Sequence, residues 1–174
     1  MQNNVKLTEI RQSDSSILFE WINDAGLVNF NAGYKPVNFK SHEDWMYKVS
    51  ESKDTVFFAI RLKVDDSLIG TCQLNLIDRI SATAFLQIRI GRSEHQSKGF
   101  GVESINELVE FGFKHLNLRK ICLYVFEDNH RAIKCYSRCL FEREGVLKKH
   151  SYVSGEYKNL VIMSRFRNTT GEEA

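Results

Sequence analysis

The sequence predicts an α+β fold, a mixed α/β chain in which one mostly antiparallel sheet is flanked by helices. Three observations carry this: β-rich segments at mid-chain, a long stripe of helical period after them, and alternating single strands and helices towards the C-terminus. Residues 5–10 read as a short strand. A helical pattern begins at Asp14, with Ile17, Leu18, Trp21 and Ile22 on one face. Ser41-His42-Glu43-Asp44 matches a capping box and predicts a second helix carrying Trp45 and Val49. The intervening stretch 25–40 reads as a polar loop sprinkled with aromatics. Residues 55–64, 67–77 and 84–90 are strand-like and broken by Asp65-Asp66 and by 78–83, which predicts an antiparallel meander. After Gly99 and Gly101, the residues Val102, Ile105, Leu108, Val109, Gly112, Phe113 and Leu116 recur at spacings of three and four, so a long amphipathic helix follows. Residues 120–126 then read as a buried strand, 129–140 as a helix, and 141–149 with 157–166 as a closing hairpin. The whole comes to about seven strands and about four helices.

Composition narrows the function. At 174 residues, 43% hydrophobic and 11% aromatic, the chain can bury a real core, and neither repeats nor a Pro/Gly/Ser-rich linker divide it. We expect a single domain over residues 1–167 and a polar, disordered tail over 168–174. The formal net charge of +2, from 24 Lys+Arg against 22 Asp+Glu, lacks the basic excess of a dedicated nucleic-acid binder, so no nucleic-acid partner is expected. No apolar run is long enough to span a bilayer and the first residues lack the apolar run of a signal peptide, which predicts a cytoplasmic protein with no membrane partner. Cys72, Cys122, Cys135 and Cys139 form no C-x-x-C pair, so a reduced interior without metal is the reading. Oligomeric state is open, a homodimer being the commonest soluble assembly.

The chemistry concentrates in two places. Between a strand and a helix lies His95-Gln96-Ser97-Lys98-Gly99-Phe100-Gly101. A glycine-containing turn before a helix lets backbone N–H groups approach an anion, and the helix adds its positive end, which suits a pyrophosphate. The Walker pattern and the full G-x-G-x-x-G are both absent, so a purely structural turn is an equal reading of this segment alone. Charge distribution favours the anion: Arg89, Arg92, His95 and Lys98 surround the turn, whereas residues 1–60 carry 6 Lys+Arg against 8 Asp+Glu. The second place is Asn129-His130-Arg131-Ala132-Ile133-Lys134-Cys135-Tyr136, where Asn129 or Asp128 can cap a helix and Ala132 and Tyr136 share a face. By itself this reads as a capped helix with a core tyrosine.

Together, in this order and spacing, the two segments resemble the GCN5-related N-acetyltransferase (GNAT) superfamily. Gln96, Gly99 and Gly101 match its loop [Q/R]-x-x-G-x-[G/A]; Asn129, Ala132, Tyr136 and Phe141 match its later Asn-x-x-Ala-x-x-x-Tyr-x-x-x-Gly-Phe. Gly155-Glu156-Tyr157-Lys158-Asn159 is similar to the late G-x-Y-x-D of the ribosomal-protein and spermidine acetyltransferase branch. Leu140 stands where the family has glycine, which should alter the end of that helix, and Asn159 replaces the usual acid. The resemblance implies a sheet splayed between its fourth and fifth strands and acetyl-CoA as co-substrate. It further implies that Gln96, Ser97, Lys98, Gly99, Phe100 and Gly101 hold the pyrophosphate, and that the backbones of Ile88, Arg89 and Ile90 pair with the pantetheine arm as an added strand. In the same pattern Asn129 and Ala132 meet the cofactor and Tyr136 gives a proton to the departing thiolate.

Those parts suit direct attack of an amine on a thioester, in which a phenol with an ordinary pKa of about 10 stays protonated and can act as acid. Cys135 and Cys139, four apart on a helix, read as packing residues. A general base is less legible: Phe85, Leu86 and Gln87 cannot take a proton, and Glu20, Asp24, Glu43 and His150 are the titratable groups on the expected substrate side. For the acceptor, loop 25–40 supplies Asn29, Asn31 and Tyr34 as contacts and carries no carboxylate, while the closing hairpin carries Lys148, Lys149 and His150. A small amine on a partly anionic molecule, such as an amino-sugar nucleotide, fits that balance best. A polyamine (spermidine or spermine), a protein N-terminus, an aminoglycoside, and a CoA-binding module without catalysis are the alternatives.

Overall fold

The structure, a computed structural model, describes residues 3–28 and 34–168. One seven-stranded sheet runs in the order β1-β2-β3-β4-β5-β7-β6. Its strands are β1 (Val5–Glu9), β2 (Val56–Leu62), β3 (Leu68–Asp78), β4 (Thr83–Ile90), β5 (Lys120–Phe126), β6 (Glu142–Val153) and β7 (Glu156–Phe166). Every neighbouring pair is antiparallel except β4 and β5. The meander turns form where the aspartates fall: Asp65 Oδ1 accepts from Ser67 N–H and hydroxyl, and Asp78 Oδ1 accepts from the N–H groups of Ile80 and Ser81. The parallel pair requires a crossover, which α4 (Phe100–Lys114) supplies.

Helix α4 lies on one face of the sheet. It buries Ile105, Leu108, Val109 and Phe113, each contributing about 1.5–3 kcal/mol relative to exposure. A Cβ on Gly112 would sit 2.9 Å from side-chain carbons of Leu74 and Ile121, so glycine sets how closely this helix approaches the strands. Phe111 meets Phe58 with centroids 5.1 Å apart, and α5 (His130–Arg138) lies alongside, with Cys135 Sγ 3.7 Å from the Cβ position of Gly101. The other face takes α1 (Ser15–Ile22), α2 (Ala25–Val28) and α3 (Phe39–Ser50). There Trp45 packs edge-on to Phe57 at 5.4 Å, and Phe57 points opposite to its neighbour Phe58.

The turn before α1 is fixed by charge. Arg61 on β2 is 4% exposed and donates to both carboxylate oxygens of Asp14 at 2.8 and 2.6 Å, to Thr8 Oγ1 at 3.1 Å and to the Asp66 carbonyl at 3.2 Å. Asp14 also accepts from the Arg11 N–H at 2.8 Å. A buried cation with this many acceptors ties β1, β2 and the helix entry into one unit.

Three expectations need correction. Helix α3 begins at Phe39, and its cap is Asn38, whose side chain accepts from Ser41 N–H at 2.9 Å; Ser41 is a donor inside the first turn. Asn23 explains this entry, because it exchanges two hydrogen bonds with the Val37 backbone and holds the chain extended before the cap. Part of the supposed loop 25–40 is the single turn α2, nucleated by Asp24 Oδ1 accepting from Gly26 and Leu27 N–H. Strand β6 continues to Val153 through a bulge between Leu147 and Ser151, where Lys149 takes φ 49 and its N–H is satisfied by Asn159 Oδ1 at 2.7 Å. Asn29, Asn31 and tail residues 169–174 lie outside the described residues. Among those described, no helix is long and apolar enough to cross a membrane.

Candidate active site

The sheet forks. Strands β4 and β5 pair only at Thr83↔Lys120, Ala84↔Ile121 and Phe85↔Cys122. Beyond that point β4 continues with β3 as far as Ile90, and β5 continues with β7 as far as Phe126. The Gly91 N–H donates to the Ile69 carbonyl at 2.9 Å, so odd-numbered residues of this stretch turn their polar backbone to β3 and Leu86, Ile88 and Ile90 turn theirs into the gap. The gap and the α1/α3 face together enclose a cavity of about 680 Å3. This geometry divides the expected trio: Ile88 and Ile90 present backbone, whereas the main chain of Arg89 belongs to its pairing with Thr71 and only its side chain reaches the cavity.

Past β4, a short 3-10 turn (Ser93–His95) leads through Gln96 to Ser97, at φ 61, and Gly99, at φ 90, which is the residue preceding α4. A Cβ at Gly99 would touch nothing within 4 Å, so the requirement for glycine is its left-handed backbone. The first hydrogen bond of the helix runs from Glu103 N–H to the Gly99 carbonyl, which leaves the N–H groups of Phe100, Gly101 and Val102 without helical partners. Ser97, Lys98 and Gly99 are exposed. Amides without helical partners, a helix N-terminus and an exposed lysine are a combination chemically suited to an anion.

The second constellation docks on the first. Asn129 Oδ1 caps α5 by accepting from Ala132 N–H at 3.1 Å, and Arg131 reaches Gln96 Oε1 at 2.8 Å, while Gln96 Nε2 donates to the Ile90 carbonyl at 3.4 Å. Tyr136 lines the cavity and is 7% exposed. Burial, reinforced by the neighbouring Cys135 and Cys139 thiols, pushes its phenol well up, so it is protonated at neutral pH. Leu140 takes φ 62, so the end of the helix keeps the left-handed shape that glycine would favour, and the leucine carries the strain. Asn159 has a structural place: its amide donates to Glu127 at 2.8 Å and accepts from Lys149.

On the acceptor side the cavity is lined by Trp21, Trp45, Phe57, Phe85 and Tyr124, with His42, Gln73, Gln87 and Arg89 as polar members. Phe85 and Tyr124 stack at 5.0 Å at the fork, and Gln73 donates to Gln87 at 2.6 Å. No Asp or Glu lines it among the described residues. Glu20, Asp24, Glu43 and His150 are exposed and absent from the lining, as are Tyr34 and the hairpin residues Lys148 and Lys149. Sequence reasoning missed His42, a buried ring stacked at 5.8 Å on Trp45, whose Nε2 lies 3.0 Å from the Ser15 carbonyl. Donation there leaves Nδ1 as an acceptor. Its signal was the three-residue spacing to Trp45 on one helix. Cys72 also lines the cavity, but burial pushes its thiol up and makes it a poor nucleophile. No cluster of metal-ligating side chains is present among the described residues.

Comparison with known proteins agrees with this geometry. An uncharacterized N-acetyltransferase p20 of Bacillus licheniformis is 34% identical over 107 residues, and the spermidine N(1)-acetyltransferase of Vibrio cholerae is 36% identical over 115 residues. Each alignment takes in 62% of this chain, and it spans 60% and 66% of the two relatives, respectively. The crystal structure of the Vibrio cholerae spermidine N-acetyltransferase in complex with CoA and spermine superposes with a TM-score of 0.87 at 27% identity, covering 95% of this chain and 96% of that one. The acetyltransferase (GNAT) domain family matches residues 4–142, and the chain belongs to that family.

Proposed function

We propose that the protein transfers an acetyl group from acetyl-CoA to a primary amine, both bound together at the fork. The observation that carries this reading is the parting of β4 and β5 beyond Phe85, with the Ile88 and Ile90 backbone on one side of the gap and Tyr136 lining it. Those backbone groups receive the donor's extended arm as though it were a further strand. The amides of Phe100, Gly101 and Val102, with Lys98, hold its phosphates. An N–H from Ile88 or Ile90 donates to the acyl oxygen as negative charge gathers there. Tyr136 supplies the proton taken by the departing sulfur. Asn129 and Ala132 act one step back, by capping the helix that carries Tyr136. Fixing amine and thioester side by side contributes roughly 7–11 kcal/mol in ideal cases, so no covalent enzyme intermediate is needed.

Relatives that include the spermidine N(1)-acetyltransferase of Vibrio cholerae are named for spermidine, which supports the polyamine alternative over an amino-sugar nucleotide. The absence of carboxylates from the lining supports an amine on a neutral or anionic carrier, because a polycation gains little from a cavity without counter-charge. Release of CoA thiol, measured with polyamines, amino-sugar nucleotides, amino sugars and peptides, separates these readings. Turnover with any primary amine upholds transfer; CoA binding without turnover on every amine class contradicts it.

A further inference from the structure

Four arginines among the described residues are not exposed: Arg61, Arg89, Arg165 and Arg167. Arg61 has Asp14, Arg165 has Asn106 and the Cys139 carbonyl, and Arg167 has Asn117 and the Phe113 carbonyl. Arg89 has no hydrogen bond or ion pair, and its Nε is buried without a partner. A guanidinium carries five donors and stays charged, and leaving it unsatisfied away from water is costly, so proteins rarely keep such a group idle.

Its position says which ligand it serves. Residues 89 and 91 share a face of β4, and Gly91 seats the Trp21 indole so closely that a Cβ there would lie 2.1 Å from the ring. Arg89 therefore projects to the α1/α3 side, where the acceptor cavity opens, and away from the helix that carries the glycine loop. Next to it along the same face stands the neutral pair Gln87 and Gln73. Among the described residues, nothing acidic lines the cavity to neutralise it. We propose that the acceptor carries an anionic oxygen group, a carboxylate or a phosphate, beside its amine, and that the Arg89 guanidinium receives it. This deepens the acetyl-transfer reading, on which it rests, by naming the acceptor's charge. A planar guanidinium suits either anion in a two-point contact, while spermidine, even with its attacking amine neutral, would bring further positive charge to an unneutralised one.

The test compares wild type, Arg89→Gln and Arg89→Lys over three acceptor classes: ω-amino carboxylates, amino-sugar phosphates, and spermidine with uncharged amino sugars. Wild type should favour one of the anionic classes over its uncharged counterpart in kcat/KM by about 10- to 100-fold, the range of a hydrogen-bonded charge contact. The favoured class identifies the anion. Arg89→Gln should erase that preference through the acceptor KM, Arg89→Lys should restore part of it, and the acetyl-CoA KM should be the same in all three. Preference of wild type for spermidine, an equal loss on charged and uncharged acceptors, or a loss appearing in the acetyl-CoA KM would each overturn the assignment. Thermal melting gives a reading independent of turnover. Arg89→Gln should melt no lower than wild type, and the favoured anionic amine should raise the melting temperature of wild type alone; an equal rise in both contradicts the proposal. Failure of acetyl transfer to every amine, with either anionic class still raising the melting temperature of wild type and not of Arg89→Gln, would sink the transferase reading and leave the anion site standing.

Discussion

Two arginines on neighbouring parts of one sheet show how this molecule divides structure from function. Arg61 lies in the closed half, where β1, β2 and β3 pair along their lengths, and a bidentate carboxylate with two further oxygens surrounds it. Arg89 lies at the open half, four residues past the last β4–β5 pair, and has no partner. Arg61 is buried, and Arg89 is half-buried with its Nε enclosed. Where the sheet closes, a buried cation is satisfied by the fold and stiffens it; where the sheet forks, backbone amides, a phenol and a guanidinium are all left for something else to satisfy. The polar groups left unmet at this interruption of an otherwise regular sheet face one cavity.

That contrast can be broken experimentally, and the largest effect belongs to the open half. Replacing Tyr136 with Phe should lower turnover by about 10²- to 10⁴-fold with acetyl-CoA affinity intact; unchanged turnover in steady-state assays would remove the acid. In the closed half, Asp14→Ala strands Arg61 and should cost about 3–5 kcal/mol in denaturant unfolding, while Asp14→Leu with Arg61→Met should recover most of it. A loss under about 1 kcal/mol would mean that water replaces the carboxylate. Asn129→Ala removes the α5 cap and should cost about 1 kcal/mol, with a fall in turnover because Arg131 and Tyr136 ride on that helix. The smallest effect is electrostatic. Lys6 first, then Arg11, hold the half-buried Asp66 carboxyl at about 2, below its ordinary 3.8. A depressed folded pKa contributes stability above the unfolded value and loses it as pH falls, so the melting difference between wild type and Asp66→Asn should persist at neutral pH and vanish between pH 3.8 and about 2.

Much of this was legible in the residues. The stripe from Val102 to Phe113 could bury only as one helix, and a glycine before it met the left-handed backbone at Gly99. Other features depend on choices that local sequence leaves open. Asn38 and Ser41 are both good caps, and the choice was made at a distance by Asn23 pinning Val37. Strand β6 outruns its pattern because Asn159, ten residues on, satisfies the bulge. Arg89 looked like part of the phosphate cluster because it is near the loop in sequence; only the parity of β4 against β3 turns its side chain to the other face. His42 was hidden for a similar reason, since its partners Ser15 and Phe19 lie on another helix.

Amide hydrogen exchange of the whole chain, with and without CoA, tests the fork most directly. Slowed exchange at Ile88, Ile90 and residues 96–102, with the β1–β2 ladder unchanged, is the expected result. Protection that spares Ile88 and Ile90 while appearing elsewhere would show that the parted strands are not where the donor lies.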